Sequence, residues 1–226
     1  MKYALAAFLA AFIGVSAHAA PCKAPSSIEN VYLVKESYSY TSAFAAQLTK
    51  PKLNLDFIEE IRIYSGDYVV KLQWYENLFE PQYGSRKITE GFRVISGMLG
   101  DEYQARMRAS ETTFQFIIND NVIDVPVPPS SERENLGYTD NKRHYGLSSD
   151  TVQMQDGRTL SEFLEQSLAG SSNYTFAIGL GREKSRLGGV SHEQVVTVDI
   201  PYADLQRLSG ELDAHVAKTK GESCMR

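Results

Sequence analysis

Residues 61–74 of this 226-residue chain read IRIYSGDYVVKLQW, and this stretch indicates the fold class. Ile61 and Ile63 occupy alternate positions, and residues 65–67 supply a Ser-Gly-Asp turn signal. Large hydrophobic side chains then return on alternate positions at Tyr68, Val70, Leu72 and Trp74. A period of two on both sides of a glycine-containing turn predicts an antiparallel hairpin with one buried face.

The same alternation runs through residues 28–127. Phe114, Phe116 and Ile118 share one phase, and the Asn-Asp-Asn turn at residues 119–121 follows them. Apolar residues return at Ile123, Val125 and Val127. Connections this short join antiparallel strands, so we predict a β-rich, mainly antiparallel N-terminal half.

Helix and strand remain alternatives at three places in this half. Residues 43–48 and 55–60 are each compatible with a short helix. Residues 88–99 carry Gly91 and Gly97, which weaken a helix more than a twisted or bulged strand. We therefore favour a strand at residues 88–99.

The C-terminal half has a different pattern. Thr159 and Glu162 match a capping box, and the apolar residues that follow share one helical face. Residues 174–180 and 193–200 each alternate as a strand, and residues 205–216 repeat at helical spacing. The whole chain is predicted to be α+β: a mainly antiparallel sheet or sandwich in the N-terminal half, followed by two amphipathic helices and two further strands.

A polar, Pro-containing connection at residues 126–150 separates the two patterns. Long polar connections are uncommon inside a compact domain and are usually functional or disordered. We interpret this one as a surface loop, and it is also the place where the mature domain would divide in two. Its densest mixture of charge, hydrogen-bond donors and aromatic character supplies the candidate binding residues, against the alternative of a solvated connector: Asp140, Lys142, Arg143, His144 and Tyr145.

The first residues have the pattern of a signal peptide. Lys2 precedes an apolar stretch at residues 4–15, and Ala17 and Ala19 form an A-x-A cleavage site. We expect cleavage after Ala19, which leaves residues 20–226 as a single mature domain without a membrane anchor. The expected location is the periplasm or the exterior of a bacterial cell.

Cys22 and Cys224 are the only two cysteines, and they lie near opposite ends of the mature chain. In an oxidising compartment such a pair is typical of a structural disulfide. We predict a bridge between them.

Motifs for catalysis, metals and cofactors are missing from the sequence. It contains neither G-x-S-x-G nor H-E-x-x-H, and His144, His192 and His215 are too far apart to share a ligand loop. Residues 179–185 lack P-loop spacing, and the glycine-rich residues 181–189 are interpreted as a hairpin loop between the strands at residues 174–180 and 193–200. The neighbouring carboxylates Asp56, Glu59 and Glu60, and likewise Glu132 and Glu134, are interpreted as surface charge. We predict no catalytic residues, no metal site and no cofactor.

These observations favour a non-enzymatic binding or interaction protein of the bacterial cell envelope, with inhibitor and immunity proteins as an analogy. A net charge of −5 gives no electrostatic reason to bind nucleic acid. The expected partner is another envelope or secreted protein, and the 13 tyrosines of the chain suit a contact surface as well as ordinary strands. The alternative is an envelope hydrolase whose site is assembled from dispersed residues. A concave pocket that holds carboxylates or His144 with shifted pKa values would favour the hydrolase, whereas a convex or flat tyrosine-rich patch would favour the binding protein.

Overall fold

The computed structural model describes residues 22–41, 53–79, 87–103, 112–125, 136–168, 170, 172–181, 192–220 and 224. Within these ranges the chain forms two antiparallel sheets and two α-helices. The predicted signal peptide, the helix considered at residues 43–48 and residues 182–189 of the predicted glycine-rich loop lie outside them.

The larger sheet has seven strands in the order β1-β2-β3-β4-β5-β9-β8. Its strands are β1 (Cys22–Pro25), β2 (Val31–Thr41), β3 (Leu53–Ser65), β4 (Tyr68–Phe79), β5 (Lys87–Leu99), β8 (Tyr138–Thr139) and β9 (Lys142–Ser148). A salt bridge of 2.9 Å joins Lys23 of edge strand β1 to Asp140, in the turn after edge strand β8, so the sheet curls until its two edges meet.

The smaller sheet has four strands in the order β11-β10-β6-β7. They are β6 (Thr113–Ile118), β7 (Asn121–Asp124), β10 (Tyr174–Gly181) and β11 (His192–Ile200). Helix α1 (Leu160–Leu168) follows a short 3-10 turn at Ser149–Thr151, and helix α2 (Tyr202–Lys218) follows β11.

The hydrophobic core lies between the larger sheet, the smaller sheet and the two helices. The sheet face that points to it, here called the core face, carries Leu33, Ile61 and Leu72. Opposite them are side chains of the smaller sheet and the helices, among them Phe114, Phe116, Phe176, Leu164 and Leu208. The other face, here called the inner face, carries Val34, Glu60 and Lys71 and is enclosed by the curl of the sheet.

Strand β9 packs very closely against β5 because glycines meet at the contact. Gly97 pairs with Gly146, and a Cβ atom on Gly97 would lie 2.1 Å from the Tyr145 carbonyl oxygen. A larger residue at either position would push the strands apart, so the glycines permit this join.

Most of the predicted elements are confirmed. The hairpin around Gly66 is β3–β4, the strand over residues 88–99 is β5, and the strand pair after residue 173 is β10–β11. The capping box forms as expected: Glu162 Oε2 accepts from the Thr159 backbone N–H at 2.7 Å, and Thr159 Oγ1 accepts from the Glu162 N–H at 3.2 Å. The α+β fold class is therefore correct.

One open alternative is decided and one interpretation was wrong. Of the alternatives at residues 55–60, the structure has strand and not helix, because these residues pair with β2 and β4 as part of β3. The described part of the connection at 126–150 is largely strand: residues 144–148 pair with β5, and residues 138–139 pair with residues 142–143. The surface-loop interpretation failed there because both faces of β9 are covered, which removes the polar–apolar alternation. Whether the mature domain divides at this connection stays a prediction.

The predicted disulfide is present. The Cα atoms of Cys22 and Cys224 lie 5.3 Å apart, so the bridge ties β1 to the chain beyond α2. Two further contacts hold the same region: His215 Nε2 lies 2.8 Å from the Cys22 carbonyl oxygen, and the Ser27 N–H donates to Glu211 at 2.9 Å.

Candidate functional site

The inner face of the larger sheet holds a buried network of charges centred on Arg62. The Arg62 guanidinium donates from Nε to Glu60, and Nη1 lies 3.0 Å from Asp140. Its Nη2 lies 3.4 Å from Glu36, and Gln73 also donates to Glu60. The side chains of Arg62 and Glu60 are only 3% and 1% exposed, so these pairs are shielded from water.

Asp140 connects this network to both edges of the sheet. Its carboxylate accepts hydrogen bonds from Lys23 Nζ at 2.9 Å and from the Tyr64 hydroxyl, besides the Arg62 contact. Asp140 and Asn141 adopt positive φ angles of 49° and 64°, as a tight turn between two antiparallel strands requires. The turn therefore places a carboxylate where the two sheet edges close.

The pKa values of these carboxyl groups follow from their partners. Burial alone would raise the pKa of Glu60, but the charges of Lys71 and Arg62 and the Gln73 hydrogen bond bring it below its usual value. The pKa of Asp140 is also lowered, because the hydrogen bonds from Tyr64 and Lys23 and the Arg62 charge outweigh burial. Both groups are ionised and compensated, as in a structural network.

The five candidate binding residues divide between surface and interior. Lys142 and Arg143 lie at the surface, where Lys142 Nζ contacts Asp67 at 3.1 Å and Arg143 Nε donates to the Tyr138 hydroxyl at 3.2 Å. A surface cavity of about 370 Å³ adjoins them. Asp140 is the closing carboxylate described above. That these five residues bind a partner stays a prediction.

His144 and Tyr145 are buried, with 0% and 1% of their surfaces exposed. The Tyr145 hydroxyl donates to Asp101 at 3.1 Å, and its ring packs in the core. On the inner face, His144 Nδ1 lies 3.4 Å from Thr139 Oγ1, and Nε2 has no hydrogen-bond partner in the structure. Burial lowers the pKa of His144 well below its usual value, and the charges of Lys71 and Arg62 lower it further.

A different arrangement occurs where the core face of the sheet extends beyond the core. A cavity of about 550 Å³ is lined there by four glutamates and by Trp74, Tyr75 and Gly91; the glutamates are Glu59, Glu76, Glu90 and Glu165. We call this cavity the acidic cleft. Glu90 and Glu165 are exposed, whereas Glu59, Trp74 and Glu76 are half-buried.

Strand register assembles this cleft. Alternate residues of β4 run along one face from Leu72 in the core through Trp74 to Glu76. Glu59 of β3 is directly opposite Trp74, and Glu90 of β5 is directly opposite Glu76. Glu165 is contributed by helix α1.

The glutamates of the acidic cleft are not compensated by an ion pair in the part of the chain that the structure describes, although Lys35 of β2 lies directly opposite Glu59. None of them forms an ion pair or a side-chain hydrogen bond there, in contrast to Glu36 and Glu60 of the inner face. Like charges directly opposite each other on neighbouring strands are destabilising. The Glu76–Glu90 pair therefore works against the stability of the sheet.

Trp74 connects the acidic cleft to a second cavity. This cavity of about 370 Å³ is lined by Trp74, Leu168 and the exposed side of α2, through Tyr202, Leu205, Gln206, Ser209 and Gly210. The indole ring is held against Phe92, with ring centroids 5.2 Å apart. Trp74 is the single tryptophan of the chain. The cleft therefore brings together carboxylates and an indole ring, two kinds of group that attract a cation.

Sequence reasoning interpreted Glu59 and Glu60 alike as surface charge, and the structure separates them. They point to opposite faces of β3, so Glu60 is buried with Arg62 and Glu59 lines the cleft. The hairpin turn at Gly66 contained the information that Glu59 opposes Trp74, because the turn determines the register. No local signal brings Glu165 to the same place.

Among the described residues, no three His, Cys, Asp or Glu side chains are grouped so that they could hold a metal ion. Nor does this part of the chain contain a helix of the length and apolar character needed to cross a membrane. Comparison with protein-family models, with curated proteins and with solved structures finds no match.

Proposed function

We propose that the chain is an exported binding protein of the bacterial envelope that receives a positively charged group of a partner protein in the acidic cleft. The observation that carries the proposal is the convergence of four unpaired glutamates around Trp74 in a cavity of about 550 Å³.

Electrostatics supports a cationic ligand. A cleft lined by charges of one sign concentrates the field and raises the local concentration of the opposite charge. The face of an indole ring attracts ammonium and guanidinium groups in addition. A lysine or arginine side chain would compensate the Glu76–Glu90 pair, so binding would relieve a repulsion that exists in the free protein.

The distribution of shifted pKa values supports binding over catalysis. Enzymes place buried groups with shifted pKa values in the cleft where the reaction occurs. Here Glu60, Arg62 and His144, whose pKa values are shifted and which are buried, line neither the acidic cleft nor the cavity beside it.

Export is supported by the signal-peptide pattern of residues 1–19 and by the disulfide, which persists in oxidising compartments. A fusion of residues 1–19 to a reporter should leave the cytoplasm, and the native mature protein should begin at Ala20. Recovery of native protein that retains Met1 would contradict export.

The binding proposal is tested by titrating the oxidised mature chain with tetralysine at low ionic strength while Trp74 fluorescence is recorded. A saturable change is expected, with no response to tetraglutamate. Because exposed charges are screened by salt, the apparent affinity should fall as sodium chloride approaches 0.15 M, where the Debye length is about 8 Å.

Paired variants make this titration specific. Glu76→Gln with Glu90→Gln should weaken tetralysine binding roughly tenfold or more, equivalent to about 1.4 kcal/mol. Glu29→Gln with Asp213→Asn removes the same charge from exposed sites away from the cleft and should change the affinity little. Equal affinity in the two double variants, or no response of the unaltered chain, would refute the proposal.

An envelope hydrolase is the second candidate, because the acidic cleft is a concave site with several carboxylates and glycoside hydrolysis uses two. Release of reducing ends from cell-wall polysaccharide by the purified chain, lost in the Glu76→Gln, Glu90→Gln variant, would favour this candidate over binding.

A further inference from the structure

The second cavity extends the acidic cleft along helix α2. Trp74 lines both cavities, so they meet at one side chain. Around the first cavity the side chains are the four carboxylates and the Trp74 indole. Around the second, Leu168, Tyr202 and Leu205 provide apolar surface beside the polar Gln206 and Ser209, and none of the described lining residues is charged. We call the second cavity the apolar groove.

Gly210 is a residue of the apolar groove that the fold itself does not require. It lies within α2, and among the described residues a Cβ atom built on it would meet nothing within 4 Å outside its own helix backbone. Its φ angle is not positive, so the backbone does not need glycine there. Glycine inside a helix is less favourable than alanine. Its effect in this position is to leave the groove open toward the helix backbone.

We propose that the apolar groove receives a large apolar side chain adjacent to the basic residue of the same partner segment. This inference rests on the proposed function, because charge complementarity at the acidic cleft selects a basic partner and continuity at Trp74 places the groove next to it. The ligand is thus a protein segment in which lysine or arginine neighbours residues such as leucine, rather than a highly charged polycation.

Two peptides separate this inference from the proposed function. Acetyl-Lys-Lys-Gly-Gly-amide offers charge alone, and acetyl-Lys-Lys-Leu-Leu-amide adds apolar side chains. Both are titrated against the oxidised mature chain with Trp74 fluorescence as the readout. We expect the leucine peptide to bind roughly tenfold more tightly, equivalent to about 1.4 kcal/mol.

The decisive variant is one whose side chain fills the apolar groove. Gly210→Leu places a side chain in the open space and should bring the affinity for the leucine peptide down to that for the glycine peptide, which itself should not change. Ala214→Leu adds the same side chain at an exposed position of α2 outside the groove and should preserve the tenfold difference. Thermal unfolding followed by circular dichroism checks that both variants fold.

Failure of the proposed function and failure of the groove inference give different results. If the glycine peptide does not bind, the proposed function fails. If it binds but the leucine peptide binds no more tightly, or if Gly210→Leu preserves the difference, the acidic cleft stands and the apolar groove is excluded as a docking site. Should Gly210→Leu fail to fold, Gly210→Ala and Leu168→Ser repeat the comparison, and an unchanged tenfold difference in both would overturn the inference.

Discussion

The larger sheet carries glutamates on both of its faces, and the two sets have opposite surroundings. On the inner face, Glu60 and Glu36 are buried and paired with Arg62. At the acidic cleft, Glu76 and Glu90 oppose each other on neighbouring strands without a described cationic partner. The first set is compensated within the molecule, whereas the described residues form no ion pair with the second set. We therefore distinguish structural glutamates from candidate functional ones by whether a cation of the same molecule pairs with them, and not by burial alone.

The largest expected effect comes from breaking the compensated set. Arg62→Met leaves Glu60, Glu36 and Asp140 without their shared cation and should lower the free energy of unfolding by about 3–5 kcal/mol. Urea denaturation followed by circular dichroism measures the loss. Arg207→Met, which breaks an exposed pair with Asp204 at 2.6 Å, is the control and should cost about 1 kcal/mol or less. A similar small cost for both would show that the inner-face network is not structural.

The disulfide should stabilise the fold on the side of the inner-face network without changing the affinity of the acidic cleft for tetralysine. Cys22→Ser with Cys224→Ser frees β1, whose Lys23 contacts Asp140, and should lower the free energy of unfolding by roughly 2–5 kcal/mol. Tetralysine affinity, measured by fluorescence, should remain within about twofold of the unaltered chain, a change of roughly 0.4 kcal/mol. A large loss of affinity in a folded double variant would show that the two regions depend on each other.

As the pH falls, the titration of His144 should lower the free energy of unfolding before the titration of the carboxylates does. The pKa of His144 is lowered in the folded state, so the unfolded chain binds the proton first as the pH falls below about 6.5. Stability should therefore decrease with falling pH, by up to about 1.4 kcal/mol per pH unit for this one proton. His144→Gln should flatten the dependence between pH 7.5 and pH 5, as measured by urea denaturation across that range. An unchanged slope would contradict the assignment.

At lower pH the same sign applies to Glu60 and Asp140, whose pKa values are lowered from 4.5 and 3.8. Their contribution is complete above these values and is lost as the pH falls through the lower folded-state values.

The smallest of these effects concerns the groove. Gly210→Ala should raise the free energy of unfolding by up to about 1 kcal/mol, because alanine is the better helix former and the added Cβ meets nothing. Differential scanning calorimetry checks the change. A lower stability would mean that Gly210 has a structural role and that the space around it is not open.

Sequence periodicity predicted the β3–β4 hairpin although both of its faces are buried, because polar residues such as Arg62, Lys71 and Gln73 alternate with apolar ones. It failed at β9, where His144 and Tyr145 point to opposite faces and both are buried. It left helix and strand open at residues 55–60, because Ile58 and Glu60 are both buried on the inner face and the apolar alternation disappears. Whether both faces of a strand are buried depends on how the whole sheet curls, and a short stretch of sequence does not contain that information.

Part of the candidate site was accessible from sequence. The turn at Gly66 determines that Glu59 opposes Trp74, and the alternation in β4 places Glu76 on the same side. The contribution of Glu165 depends on the packing of α1, and the pairing of Arg62 with Asp140 spans 78 residues. Such long-range neighbours follow from tertiary packing and not from spacing in the chain.

One measurement tests most directly whether the unpaired glutamates serve binding at the expense of stability: urea denaturation of the unaltered chain and of Glu76→Gln with Glu90→Gln, each with and without tetralysine. Without peptide, the double variant should be more stable by roughly 0.2–1 kcal/mol, because the cross-strand repulsion is gone. Tetralysine should raise the stability of the unaltered chain, by about 2.7 kcal/mol at one hundred times its dissociation constant, and that of the variant much less. A double variant that is less stable, or equal stabilisation of both proteins by the peptide, would contradict the account.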